Sequence, residues 1–361
     1  MIKRLPESTQ TLYAELLQKS AIPIEGGGSY VTKKIRERIY WYHQTITPEG
    51  VKKQQYIGAD TSELRHQIET LKSGADVSGI VDARKRLVSM LGVAGASLEK
   101  GRSARIIEKM SRIGLFESGG AMVGSYAFAC YGNMLGVESS ASLRRTEDID
   151  FSVARTIDIA VQRDIPAALL DVDASLKVPK QTNPGVFPFE MVSDDGFKVE
   201  FLTTRESPSD RVPVNIAQFG VHAQPLEFMD YLLNGLQDAV VLYGVGIPVR
   251  VPNPARFAIH KLAISQMRPV GMQTKINKDI AQSAFVIEVL SQDNPGSLSI
   301  AISDAVDRGD GLWYFAQRGV NRLPPDVMSM LTESAGGALP QVSIDTGSGS
   351  FVRESNTPTL K

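Results

Sequence analysis

With 361 residues, a net charge of −1 and 42% hydrophobic residues, the chain has apolar material for an ordinary globular core, and its charge balance excludes wholesale electrostatic binding to nucleic acid while leaving room for a local basic patch. Cys130 is the only cysteine, which excludes a disulfide framework or a cysteine zinc site and fits a reducing, cytoplasmic compartment. No apolar run reaches membrane-spanning length, and the opening MIKRLPESTQTLYAELLQ lacks the unbroken apolar stretch of a signal peptide, so no membrane partner is expected.

Residues 7–20 read as a short amphipathic helix with Leu12, Leu16 and Leu17 on one side, and Gly26-Gly27-Gly28 then breaks the chain. The next stretch, 29–58, alternates β-branched and aromatic residues around a Pro48-Glu49-Gly50 turn, which predicts two or three short antiparallel strands. Six cations (Lys33, Lys34, Arg36, Arg38, Lys52 and Lys53) face only Glu37 and Glu49 there, interleaved with Tyr30, Tyr40, Trp41, Tyr42 and Tyr56. Such a hairpin can contact phosphates and stack on bases, with Lys33, Lys34, Arg36, Arg38 and Trp41 as the nucleic-acid contacts, or it can pack on its neighbours with a solvated basic edge. From Ser62 to about Met110 the spacing is helical, and Arg84, Lys85 and Arg86 read as an exposed helix face.

The stretch GGAMVGSYAFACYGNMLGVESSASLRRTEDIDF, from Gly119 to Phe151, organises the rest. Gly124-Ser125 precedes an apolar helix expected to end at Gly132, and glycines at a helix start let backbone N–H groups approach phosphate oxygens. The interval from Gly119 to Gly124 also fits a P-loop, but Ser125 stands where that motif needs Lys. In Glu147-Asp148-Ile149-Asp150-Phe151 strand alternation puts both aspartates on one face, about 7 Å apart at the alpha carbons, which suits cations held by oxygen ligands. Glu200, in the alternating run 196–203, is the candidate third ligand.

Between these, a helix is expected around 158–176, a Pro- and Gly-containing loop at 179–188, and a hairpin joining 189–193 to 196–203. Residues 225–235 look helical, and 239–251 look like a strand pair leading through Pro252 and Pro254 into a helix at 255–268. A second helix starts at Lys275. His260 reads as a packing residue, and Gly-, Ser- and Thr-rich 335–361 as a flexible tail.

A Gly-Ser turn opening a helix, followed by a strand with Asp-x-Asp, resembles the signature of the DNA-polymerase-beta-like nucleotidyltransferase superfamily. GGAMVGSYAFACYGNMLG and TEDIDF together look like a bacterial branch related to abortive-infection and minimal nucleotidyltransferase toxins. The Ser125 to Asp148 gap is longer than in compact members, and Glu200 stands where Asp is more usual. The resemblance implies an α+β fold with a polymerase-beta-like core, a mixed sheet with helices, at 101–254. An N-terminal helix, basic β-hairpin and helical module would occupy 1–100, a C-terminal helical module 255–334, and the tail 335–361. It further implies that Asp148, Asp150 and Glu200 are catalytic and hold Mg2+ or Mn2+. Gly124, Ser125, Lys261 and Lys278 would bind the NTP, with Asp279 orienting a lysine. The expected reaction moves an NMP from NTP to an acceptor hydroxyl with release of pyrophosphate, a tRNA 3' end being favoured. Protein nucleotidylation, or a non-catalytic nucleic-acid-binding or antitoxin-like protein, is the alternative, and a cognate antitoxin is a possible partner.

Overall fold

Alternating apolar residues at 148–152 and 198–204 form two parallel neighbours in the middle of a mixed sheet, and everything that positions the site is built around them. The structure is a computed structural model and describes residues 2–20, 29–35, 37–46, 52–72, 77–144, 146–155, 164–180, 187–345 and 350–353. The chain begins with helix α1 (Glu7–Ser20), strands β1 (Ser29–Ile35), β2 (Arg38–Ile46) and β3 (Lys52–Ala59), and helices α2 (Ser62–Lys72), α3 (Val77–Val93) and α4 (Gly101–Arg112). Next come β4 (Ala121–Val123), α5 (Gly124–Met134), α6 (Ala141–Arg144), β5 (Asp148–Ser152), α7 (Ile165–Leu170), β6 (Glu190–Val192) and β7 (Lys198–Thr204). They are followed by β8 (Val214–Ile216), β9 (Val221–Leu226), α8 (Met229–Leu233), β10 (Gln237–Val241) and β11 (Ile247–Val251). The last elements are α9 (Pro254–Met267), α10 (Gln273–Asp293), α11 (Pro295–Asp307), α12 (Leu312–Val320), α13 (Pro325–Ser334), β12 (Val342–Ile344) and β13 (Phe351–Arg353).

The central sheet runs β4-β5-β7-β9-β8, with β6 pairing β7. Its β5–β7 and β7–β9 pairs are parallel and the others antiparallel, so the protein is α+β with a mixed sheet. On β5 and β7 the odd-numbered Ile149, Phe151, Val199 and Phe201 are buried, which leaves the even-numbered acids on the opposite face. One hydrophobic core runs from Ile106 through the sheet to Val342 and includes the C-terminal helices. Helix α9 is apolar nearly all round and lies in that core. Pro254 opens it, and the Asn253 side chain accepts from Ala255 N at 2.9 Å. Helix α12 packs directly on it, because Gly319 has no side chain: a Cβ there would stand 2.5 Å from Leu262 O. Helices α1 and α3 form a smaller core with Val240 and Leu242, where Tyr13 accepts from Val240 N at 2.9 Å. Among the described residues no helix is long and apolar enough to cross a membrane.

Several expectations need correction. Helix α5 continues through Gly132 to Met134, and Gly132 serves close packing instead, since a Cβ would meet Val137 O and Ser139 Oγ at 3.0 Å. The helix expected at 158–176 is only α7 within the described residues, 156–163 lying outside them. Asp164 caps its start, and beyond its end Asp173 accepts from both the backbone and hydroxyl of Ser175, a turn that competes with helix. The helix expected at 225–235 is split: Pro225 belongs to β9, and Phe228, at φ 61, breaks the chain before α8. Arg84 is buried rather than exposed; it donates to Val245 O at 2.8 Å and Gly246 O at 2.6 Å, clamping the β10–β11 turn, while Lys85 and Arg86 are exposed. The described residues of the expected tail are structured: β12 and β13 pair, Val342 is buried, and Trp313 donates to Pro340 O at 2.8 Å. Residues 346–349 and 354–361 lie outside the described ones.

Candidate active site

Parallel pairing of β5 with β7 sets Asp150 opposite Glu200 and Asp148 opposite Lys198, so three carboxylates share one sheet face. Strand β4 leads directly into α5, whose first residue, Gly124, has φ +63. A Cβ built on Gly124 would stand 2.1 Å from Asp150 Oδ2. Glycine is therefore required here twice over, by the left-handed backbone and by the carboxylate pressed against the helix start. The free N–H groups of that helix start give the region a positive end, and Ser125 adds a hydroxyl.

The acids are in opposed electrostatic states. Burial raises Asp148, but a hydrogen bond from Thr146 Oγ1, the charge and contact of Lys275 and the charge of Lys278 bring it below the usual carboxylate value. Lys275 Nζ lies 3.5 Å from Asp148 Oδ2. Asp150 keeps a solvent-facing edge yet lies deep among protein atoms; burial and the neighbouring Asp148 charge push it up to about 6, with Lys261, Lys275 and a hydrogen bond to Glu200 pulling the other way. Burial, then Asp150, Asp148 and Glu190, push Glu200 up to about 7 against Lys198. Two carboxylates facing each other across paired strands repel, so each holds the other above the ordinary carboxylate range.

The opposite wall comes from α9 and α10. Lys261 is buried and donates to Asp279 Oδ1 at 2.6 Å, while Arg268 donates to Asp279 Oδ2 at 2.6 Å. Burial raises Asp279, but the charges of Lys261 and Arg268 and their hydrogen bonds carry it below its ordinary value. Lys278 is half-buried and is lowered by burial and by Lys261, with Asp148 and Asp279 acting against the shift. Gln282 sits fully buried beside Ser125, its Nε2 3.5 Å from Ser125 Oγ and 2.8 Å from Leu143 O. The structure thus brings Gly124, Ser125, Asp148, Asp150, Glu200, Lys261, Lys278 and Asp279 to one region. His260 is buried and pushed down to about 3 by burial and by Lys261.

Sequence reasoning missed Thr146, Arg268, Lys275 and Gln282 as parts of this region. Lys275, Lys278 and Gln282 recur three and four residues apart, which puts them on one face of α10, and that spacing was the available signal. Arg268 carried no such mark, because its role depends on how α9 and α10 pair.

Among the described residues no three His, Cys, Asp or Glu side chains already stand as a cation cage. The donor chemistry nonetheless fits Mg2+ or Mn2+: the set is all carboxylate oxygen, and Asp150 and Glu200 are held up in pKa by mutual charge that a divalent ion would neutralise.

The basic strands lie apart in a separate sheet, ordered β1-β2-β3. Tyr40 and Tyr42 are buried, Lys33 Nζ lies 4.9 Å over the Tyr42 ring, and Lys34 pairs with Glu37 at 3.5 Å. Trp41 donates to Asp60 at 2.8 Å, and Lys72 Nζ covers its ring at 4.9 Å. Arg38 is exposed, and Arg36 lies outside the described residues.

Compared with known protein families, residues 101–307 match a family described as nucleotidyltransferase, a span from the first residue of α4 to the last of α11 that covers more than half of the chain. A search of curated proteins gave no match.

Proposed function

The chain belongs to the nucleotidyltransferase family, and from that premise we propose that it moves a nucleoside monophosphate from an NTP to an acceptor hydroxyl, releasing pyrophosphate. The observation that carries this reading is the meeting of the α5 start with the carboxylate pair, where the Gly124 backbone touches the Asp150 carboxylate and Glu200 faces Asp150 across the strands. In this proposal Asp148, Asp150 and Glu200 hold Mg2+ or Mn2+, which when bound supplies Lewis-acid polarisation of the phosphate and of the acceptor hydroxyl. The N–H groups at Gly124 and Ser125, with the Ser125 hydroxyl, take phosphate oxygens. Lys275 and Lys278 balance the triphosphate charge, and Lys261, held by Asp279, projects a fixed positive field toward Asp150. The acceptor oxygen bonds to the α-phosphorus, the bond from that phosphorus to the oxygen bridging to the β-phosphate breaks, pyrophosphate leaves, and the acceptor proton passes to solvent.

For the acceptor, we place an RNA 3' end first, a tRNA end in particular. Support comes from Arg38, Lys34 and Lys52, all exposed on the small sheet. With Tyr40 and Tyr42 buried, the sheet offers phosphate contacts more than base stacking, which makes recognition tolerant of sequence. In the proposed division of labour, 1–100 holds the acceptor, 101–254 carries the carboxylates and 255–334 clamps the triphosphate. A toxin setting of the abortive-infection kind, with an antitoxin partner, goes with this reading: expression of the wild type would arrest growth and the Asp150→Asn variant would not. The biochemical test is incubation with each of the four α-labelled NTPs, total RNA and Mg2+, beside Asp148→Asn. Label in RNA from the wild type alone is expected. Label in protein alone would move the acceptor to Ser, Thr or Tyr hydroxyls, and equal labelling by both proteins would overturn the carboxylate assignment.

A further inference from the structure

Gln282 lies on the same face of α10 as Lys275 and Lys278 but, unlike them, is fully buried. Its amide reaches two places at once. Nε2 donates to Leu143 O at 2.8 Å, near the end of α6, and stands 3.5 Å from Ser125 Oγ, at the start of α5. The carbonyl of Leu143 can only accept, so the amide orientation is fixed with Nε2 toward it. Among the described residues Oε1 is then left buried with no hydrogen-bond partner.

Folding stability alone does not account for a glutamine here. The bond to Leu143 is offset by the cost of the carbonyl left unpaired, so an apolar side chain of the same length would leave stability little changed. What the amide does achieve is geometric. Leu143, at the end of α6, is held by Gln282, and Thr146, three residues on in the sequence, donates its hydroxyl to Asp148. Ser125 carries the hydroxyl at the α5 start. The helix that brings the cations is thereby tied by one side chain to both the α5 start and the end of α6.

We infer that Gln282 is a positioning residue for the triphosphate cradle, setting Ser125 and the α6 end at Leu143 relative to the cations of α10. This rests on the nucleotidyl-transfer reading of the site. It acts through other groups and touches no reacting atom.

The test is calorimetric binding of ATP, GTP, CTP and UTP, each with Mg2+, to the wild type, Gln282→Met, Ser125→Ala and the double variant. Methionine keeps the length and volume without the donor, so a melting temperature near that of the wild type is expected. Binding of whichever NTP the wild type takes should weaken about three- to tenfold in Gln282→Met. In the Ser125→Ala background the same change should weaken it by less than about twofold, because residues in one network are not additive. A merely structural role would give additive losses. If Gln282→Met fails to fold, Gln282→Leu takes its place, since it likewise has no donor for Leu143. Unchanged NTP affinity in the folded variant, or additive losses in the double variant, would overturn the inference while leaving the site assignment standing. Absence of binding of all four nucleotides by the wild type would overturn the site assignment and this inference with it.

Discussion

Asp150 and Asp279 are both carboxylates set deep beside Lys261, and they sit in opposite electrostatic states. Asp279 has two cations at 2.6 Å, is carried below its ordinary pKa and joins α9 to α10. Asp150 has Asp148 and Glu200 for neighbours and is pushed up to about 6. The contrast separates a structural joint, in which charge is already balanced, from a site whose charge demand is left open. Burial alone does not distinguish the two; the sign of the neighbours does.

The largest expected effect breaks the open side of this comparison. Asp150→Asn removes a ligand while relieving repulsion, so transfer should fall about a hundredfold or more, on the scale of several kcal/mol of lost charge stabilisation, while the melting temperature holds or rises. Asp279→Ala should do the reverse in stability. It leaves Lys261 and Arg268 without their shared carboxylate, and urea unfolding should record a loss of about 3–5 kcal/mol, the usual result of breaking a buried ion pair from one side. Gly124→Ala comes next: a left-handed alanine costs about 1–2 kcal/mol, and its Cβ displaces the Asp150 carboxylate. Activity should drop more steeply than stability in that variant, as thermal melts beside steady-state rates would record.

A pH experiment sharpens the comparison further. Asp150 and Glu200 have folded-state values of about 6 and about 7, above the ordinary carboxylate values near 4. Their contribution to stability is therefore complete below about pH 4 and is lost as pH climbs through 6 to 7. A divalent cation would relieve the same repulsion and must displace protons at low pH, so the gain in melting temperature from Mg2+ should be larger at about pH 8 than at about pH 5. Asp279, depressed by its two cations, contributes in the other sense: its stabilisation is present at neutral pH and is lost as pH falls below the ordinary carboxylate range. The smallest effect is expected at the rim. Lys275 is exposed, and Lys275→Ala should weaken NTP binding only about two- to fivefold.

The acidic half of the site was legible because strand alternation is a local code: Asp148, Asp150 and Glu200 announce their face by the apolar residues between them. The strand pairs at 190–204 and 237–251 were legible for the same reason. The cationic half was only half legible. Lys261, Lys278 and Asp279 were named through resemblance, Lys275 shares a helical spacing with Lys278 that went unused, and Arg268 matters through the way two helices pack. Arg84 shows the same limit from the other side, since a charge run on a helix reads as solvated until the carbonyls of the β10–β11 turn are brought to it. Strand β8 and most of β9 drew no reading, being too short for a clear alternation, and the end of β9 at Pro225 was read into a helix. The last strands were hidden by Gly- and Ser-rich composition, though Val342 and Phe351 pack against the core.

The most direct measurement of the central claim is pyrophosphate release from the wild type and from Asp150→Asn, each supplied with NTP and RNA, with Mg2+ present or removed by chelation. The account predicts release from the wild type that stops on chelation and is lost in the variant although the variant remains folded. Release that continues in folded Asp150→Asn at the wild-type rate, or that is indifferent to chelation, would contradict it.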